Sequence, residues 1–157
     1  MAKESTGSLP RLVAAAQAEA HILGAKAIEA EHLLLAIANQ PDTPAGETLH
    51  RFGLPYERLI ELIGGERARS LAFIGIDPAE YGLAARPQSS GKLPLATSSK
   101  QVLSKVVHDA NWQRSKLNVS ELLRAIVSVQ AGTVARLLAM ARVDRADLLT
   151  QLEGRVR

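Results

Sequence analysis

Glu29, Glu31 and His32 are the residues whose types could do chemistry at close quarters, and they stand directly before the apolar run Leu33-Leu34-Leu35-Ala36-Ile37-Ala38. A carboxylate beside an imidazole could act as a general acid–base pair or contribute to a metal site. Either use needs side chains that converge on one point, and neighbours at i and i+1 on a helix do not face each other. No His-Glu-x-x-His occurs, and His21, His50 and His108 show no ligand spacing. A plainer account fits the same residues. The first turn of a helix leaves N–H groups unpaired, and these together with the macrodipole favour carboxylates at Glu29 and Glu31. His32 is then expected to bond the backbone of the incoming loop while its ring covers the edge of the core. On this reading the chain has no catalytic residue, no metal ligand and no cofactor. A small hydrolase using Glu31 and His32 is the rival, and turnover lost in Glu31→Gln with folding intact would support it.

The elements that must position these residues read as helices. In a chain of 157 residues, 46% are hydrophobic but only 3% aromatic, so the core has to be built from Leu, Ile, Val and Ala. Leu9, Leu12, Val13, Ala16, Ala20 and Leu23 recur at helical spacing, which predicts a helix from Ser8 to Leu23 with Pro10 in its first turn and Gly24 as its stop. Glu31 to Asn39 is apolar around most of its circumference, the pattern of a helix surrounded by others. Thr43 and Pro44 open a third helix that Gly53 closes, and Pro55 opens a fourth that Gly64-Gly65 is expected to end. Residues 65–92 read as a linker with short helical pieces over Arg67–Phe73 and from Asp77-Pro78-Ala79-Glu80. Beyond it, Ser98 to Trp112 is expected to be helical, with Val102, Leu103, Val106, Val107 and Ala110 inward. Asn118 and Glu121 have capping-box spacing before the next helix. A segment over Gly132–Ala141 and a last helix closed by Gly154 complete the chain. Trp112, the single tryptophan, reads as a cover for the core edge or as an interface anchor.

The two halves look like copies of one unit. His32 to Ile37 lies over Glu121 to Ile126, an offset of 89 residues, and the same offset lays Phe52-Gly53-Leu54 over Ala141-Arg142-Val143. Duplication has a physical use here, because a short four-helix unit buries its own faces poorly and a second copy covers them.

The run AQAEAHILGAKAIEAEHLLLAIA, followed by AGETLHRFGL, resembles the N-terminal domain of the Clp ATPases of the ClpA and ClpC kind. Gln17, Glu19, Ala20, Ile28, Glu31, His32, Leu33, Leu34 and Ala36 carry the likeness. In the second half Leu93, Pro94, Lys100, Val102, Leu103 and Ala110 match. The resemblance implies an all-α fold of two pseudo-repeated four-helix units, over residues 8–64 and 93–154, joined by a long linker. The second unit departs from the pattern. Ser120-Glu121 replaces the expected Glu-His, Arg124 sits inside the apolar run, and Arg142 replaces a helix-ending glycine. No G-x-x-x-x-G-K-[ST] occurs, since Ser90-Gly91-Lys92-Leu93 lacks the earlier glycine and the following Ser or Thr, so ATP binding in the P-loop manner is excluded. The chain is expected to be a free-standing Clp N-domain, or one cut from a larger chain.

The resemblance also implies a function: a non-enzymatic module that binds protein segments, as a substrate or adaptor recognition element or a decoy for a Clp chaperone–protease. Four residues match the family's ligand positions. Glu31 keeps the place of a glutamate implicated in holding phosphorylated arginine, with Ala30 before it instead of the usual Thr. Gln17 and Lys100 match polar positions near a groove between the first helices of the two units, and Leu95 matches an apolar contact position there. Each of the last three could equally be an ordinary surface or linker residue. Expected partners are therefore Clp machinery, adaptors or substrate segments, with a small molecule or phosphoarginine in the inter-repeat groove. A membrane partner is not expected, because no apolar run approaches a span. The absence of cysteine and of an apolar stretch in MAKESTGSLPRL suggests the cytoplasm. Net charge is +3, from 19 cations against 16 anions that are scattered along the chain, so nucleic-acid binding has weak electrostatic support. A helical DNA-binding regulator, with Thr133–Ala141 as recognition helix, is the alternative. That segment carries one arginine and is otherwise mainly apolar, which suits a core better than a groove.

Overall fold

The structure, a computed structural model, describes residues 9–76, 91–109 and 119–156. The readings made for Asp77-Pro78-Ala79-Glu80, Ala110, Trp112 and Asn118 lie outside these residues. Eight helices run among the described residues: α1 Leu9–Ile22, α2 Ala30–Ala38, α3 Pro44–Arg51, α4 Tyr56–Phe73, α5 Thr97–Asp109, α6 Val119–Ser128, α7 Thr133–Met140 and α8 Arg145–Val156. The fold is all-α, as expected, and among the described residues the only extended pairing is an isolated parallel bridge between Ile28 and Leu95.

Helix α2 is the axis of the molecule. Ala30 and every residue from His32 to Ala38 are buried, and the helix packs against α1 and against α3 to α7. Its all-round apolar sequence is what such a position requires. The remaining helices show one apolar face each. Leu12, Ala16 and Ala20 of α1, Leu59 and Leu62 of α4, and Leu137 and Leu138 of α7 all join a single core. On α5, Val102, Leu103 and Val106 are buried, but Val107 is exposed rather than inward.

Local signals set several boundaries. The Thr43 hydroxyl accepts the Gly46 N–H at 3.1 Å at the start of α3, with Pro44 in its first turn. A Cβ at Gly46 would collide with the carbonyl oxygen of Gln40, so only glycine fits that approach. Asp144 caps α8 by accepting the Asp147 N–H at 3.1 Å. Arg124 interrupts the apolar run of α6 at an exposed position, where it pairs with Glu153 of α8 at 3.1 Å.

Two helix ends differ from expectation. Helix α4 does not stop at Gly64-Gly65 but continues to Phe73, so Arg67–Phe73 is its second half and not a separate piece of a linker. Glycine inside a helix costs about 1 kcal/mol against alanine but does not by itself terminate it. The second half of α4 is held by packing on α7, where buried Glu66 meets Arg136. The helix ends only where Gly75 takes φ 79°, with the Ile76 N–H returning to the Leu71 carbonyl at 2.8 Å. Gly154 likewise lies inside α8, which runs on to Val156.

The turns after α3 and α7 close in the same way. Leu54 N–H bonds the Leu49 carbonyl and Gly53 N–H bonds that of His50. Val143 N–H bonds the Leu138 carbonyl and Arg142 N–H bonds that of Ala139. The two sets differ by the offset of 89 residues seen in the sequence. Gly53 has φ 74° and Arg142 has φ 56°, so an arginine occupies the left-handed position that glycine holds in the first half.

Candidate functional site

The start of α2 is assembled from both halves of the chain. The segment before α5 lies along the loop before α2. There Ile28 N–H donates to the Pro94 carbonyl at 2.8 Å, and the Ile28 carbonyl accepts both the Ala96 N–H at 2.9 Å and the Ser99 hydroxyl at 2.6 Å. Ser98 completes the join. Its hydroxyl donates to the Glu29 carboxylate at 2.5 Å and accepts the Ala30 N–H at 3.0 Å, satisfying a donor that the helix start leaves free.

His32 plays the structural part expected of it. Its Nδ1 accepts the Glu29 N–H at 2.8 Å, half of a capping box, which leaves the ring as the neutral Nε2–H tautomer. Burial pushes its pKa down to about 4, against the opposing pull of the Glu29 charge.

Glu31 points elsewhere. It lines a cleft of about 340 Å³ together with Ser98 and Gln101 of α5, Gly132 and Thr133 at the start of α7, and Arg136. Burial pushes its carboxyl up to about 7; its own backbone N–H and Arg136 oppose the rise, and the charges of Glu29 and Glu66 add to it. Opposite Glu31, α7 begins at Gly132, whose φ is 102° and which provides no side-chain cap. That helix start presents backbone donors and a positive dipole end. Arg136 spans the back of the site. Its Nε donates to Glu66 at 2.6 Å, its Nη2 donates to Thr133 at 3.3 Å, and the Ser70 hydroxyl donates to the same Glu66 oxygen at 2.7 Å. The cleft thus offers a carboxyl poised near neutrality, a guanidinium and a helix start: groups that can grip polar and charged parts of a ligand.

The four residues singled out by sequence do not converge in that cleft. Glu31 lines it. Gln17 accepts the Leu93 N–H at 2.8 Å and so ties α1 to the segment leading into α5. Leu95 is half-buried against the core beside the Ile28 bridge. Lys100 is exposed on α5 and bonds the Ala96 carbonyl through its backbone N–H at 3.0 Å. Gln17 and Leu95 therefore share a seam. Arg136 and Glu66 were missed, since nothing local marks a pairing across 70 residues. The one available signal was a lone arginine in an apolar helix. Among the described residues no group of three or more His, Asp or Glu side chains could hold a metal ion, and no single described helix is long and apolar enough to cross a membrane.

Comparison with known proteins matches residues 4–141 to the family described as the Clp repeat (R) N-terminal domain. The chain belongs to the Clp N-terminal-domain family. The crystal structure of the N-terminal domain of the caseinolytic protease associated chaperone ClpD from Arabidopsis thaliana has the same fold. It is similar at a TM-score of 0.63 and 17% sequence identity, over 94% of this chain and 90% of that one. No match was found among curated proteins. Membership makes the chain a Clp-type protein-interaction module.

Proposed function

We propose that this Clp N-domain recognises protein segments for a Clp chaperone–protease, as a substrate or adaptor recognition element or as a decoy, with no chemistry of its own and in a cytoplasmic setting. The observation that carries this reading is the cleft where Glu31 faces Arg136 and the uncapped start of α7. A bound segment lies between α2, α5 and α7. Its cationic or N–H groups meet Glu31, and its carbonyl or anionic groups meet the start of α7. Affinity comes from a few desolvated contacts rather than from the net charge. An arginine phosphorylated on its guanidinium is the finer form of this ligand, carrying a donor for Glu31 and an anion for the helix start; the second half has Ser120 at the position matching Glu31, so one such site is proposed.

Two features support the reading further. The family match covers most of the chain, and the fold is that of a chaperone's N-terminal domain. The DNA-binding alternative gains nothing from α7, which buries Val134, Leu137 and Leu138 and commits its arginine to Glu66. The test is a pull-down from native lysate with the chain as bait, in wild-type form and as Glu31→Gln. Clp subunits, adaptors or Clp substrates are expected with the wild type and depleted with the variant. Their absence from the wild-type capture overturns the reading.

A further inference from the structure

Outside the Glu31 cleft, the second half of α4 and α7 enclose an open groove of about 580 Å³. Its apolar surface comes from Phe73, Ala139 and Met140, and its rim from Arg69 and Arg136. Phe73 is 92% exposed and the adjacent Ile74 is 66% exposed, so large apolar side chains stand in solvent at the open end. Exposed apolar surface with a polar rim is the mark of a docking site.

Charge decides what fits. The one acid of the groove, Glu66, is buried and already taken up by Arg136 and Ser70. Arg69 is exposed and forms no ion pair among the described residues. Arg136 uses Nε on Glu66 and Nη2 on Thr133, while its side chain remains 55% exposed, so guanidinium donors are left over for a second carboxylate. The groove therefore presents an apolar floor between two cations. Its walls are two neighbouring helices, a geometry that a third helix fills. Met140 gives such a seat an adaptable contact and Phe73 a large apolar surface.

We infer that the α4–α7 groove is a second docking site, which receives an acidic amphipathic helix from a partner protein. Its apolar stripe seats between Phe73 and Met140, and its carboxylates reach Arg69 and Arg136. The inference goes beyond the Glu31 cleft and rests on the protein-binding reading only in its general sense. Arg136 borders both sites, so a partner in the groove changes the charge environment of Glu31.

The test is fluorescence anisotropy with a labelled synthetic peptide whose leucines recur at i, i+3, i+4 and i+7 and whose flanks are glutamate. The control peptide carries lysine in place of glutamate. The account expects saturable binding of the acidic peptide, weakened by salt, and none of the basic one. Arg69→Glu and Phe73→Ala are each expected to weaken binding by about tenfold or more. Both residues are exposed, so folding should be preserved and is checked by circular dichroism. Arg69 and Phe73 line only this groove and not the Glu31 cleft, so loss of binding in these two variants separates failure here from failure of that cleft. Equal binding of the two peptides, indifference to Arg69→Glu and Phe73→Ala, or no binding overturns the inference. So does self-association of the chain that Phe73→Ala abolishes, or capture by anionic lipid vesicles in place of the peptide.

Discussion

The turns after α3 and α7 carry the same pair of hydrogen bonds at matching positions, yet one is built on Gly53 and the other on Arg142. An L residue in the left-handed region costs about 1–2 kcal/mol. The second half accepts that cost because the turn must still deliver Val143, which packs against the core, and the buried start of α8's apolar face at Leu148. The starts of α2 and α6 differ in a second way. At α2 stand Glu29, Glu31 and His32, capped by Ser98 from the other half. The corresponding start of α6 places buried Val119 and Ser120 before Glu121. The two halves share the turn after α3 and α7, but the starts of α2 and α6 differ in chemistry. The first carries the polar apparatus, while the second supplies its cap, its opposing helix start and Arg136.

If the shared part is the core, equivalent leucines should matter equally. Leu34 and Leu123 are both fully buried and differ by the offset of 89 residues. Leu34→Ala and Leu123→Ala are each expected to cost about 3 kcal/mol in urea unfolding. A loss below about 1 kcal/mol at either position would break the equivalence.

The next effect concerns what is not shared. Arg136→Ala leaves the buried Glu66 carboxylate with the Ser70 hydroxyl but without its guanidinium and is expected to cost about 2 kcal/mol, a figure kept modest by the exposure of the arginine. Arg136→Ala combined with Glu66→Ala should lose less than the two single changes summed, because the pair is coupled. Strict additivity would contradict the pairing.

How much was legible follows the same division. The ends of α1 and α3 were readable because Pro10, Gly24, Thr43-Pro44 and Gly53 act within their own turns. The place of Glu31 in the first turn of α2 was also readable. The run of α4 beyond Gly64-Gly65 was not, since what holds it is Arg136, far along the chain, and local glycine signals pointed the other way. Gln17, Lys100 and Leu95 were expected near a groove between the first helices of the two units; Gln17 and Leu95 lie in the seam between α1, Ile28 and the segment before α5, and Lys100 is exposed on α5. Every bond of that seam has a backbone partner, and the Ile28 N–H to Pro94 and Ala96 N–H to Ile28 bonds are wholly backbone, which leaves little trace in side-chain pattern.

The two turns give a smaller and sharper contrast. Arg142→Gly is expected to stabilise the chain by about 1 kcal/mol and Gly53→Ala to destabilise it by a similar amount, both read as shifts in the urea midpoint. Equal and negligible effects would mean the left-handed position is not under strain.

The smallest expected effects are in pH dependence. The Glu31 pKa is raised by folding to about 7, so the stability linked to it is complete below its unfolded value near 4.5 and is lost as pH rises through about 7. His32 runs oppositely. Its pKa is lowered to about 4, so its contribution is present above 6.5 and is lost as pH falls through about 4. Glu31→Gln should therefore flatten the decline in stability between mildly acidic and mildly alkaline solution and leave the acid limb unchanged. No counterpart is expected from Ser120.

The central claim is that the Glu31 cleft grips polypeptide. Its most direct test is an NMR titration of the isotope-labelled chain with a short peptide carrying phosphorylated arginine. The account predicts saturable amide shifts at Glu31, Gly132 and Thr133, reduced about tenfold in apparent affinity by Glu31→Gln. Shifts confined to other surfaces, or none at saturating peptide, would contradict it.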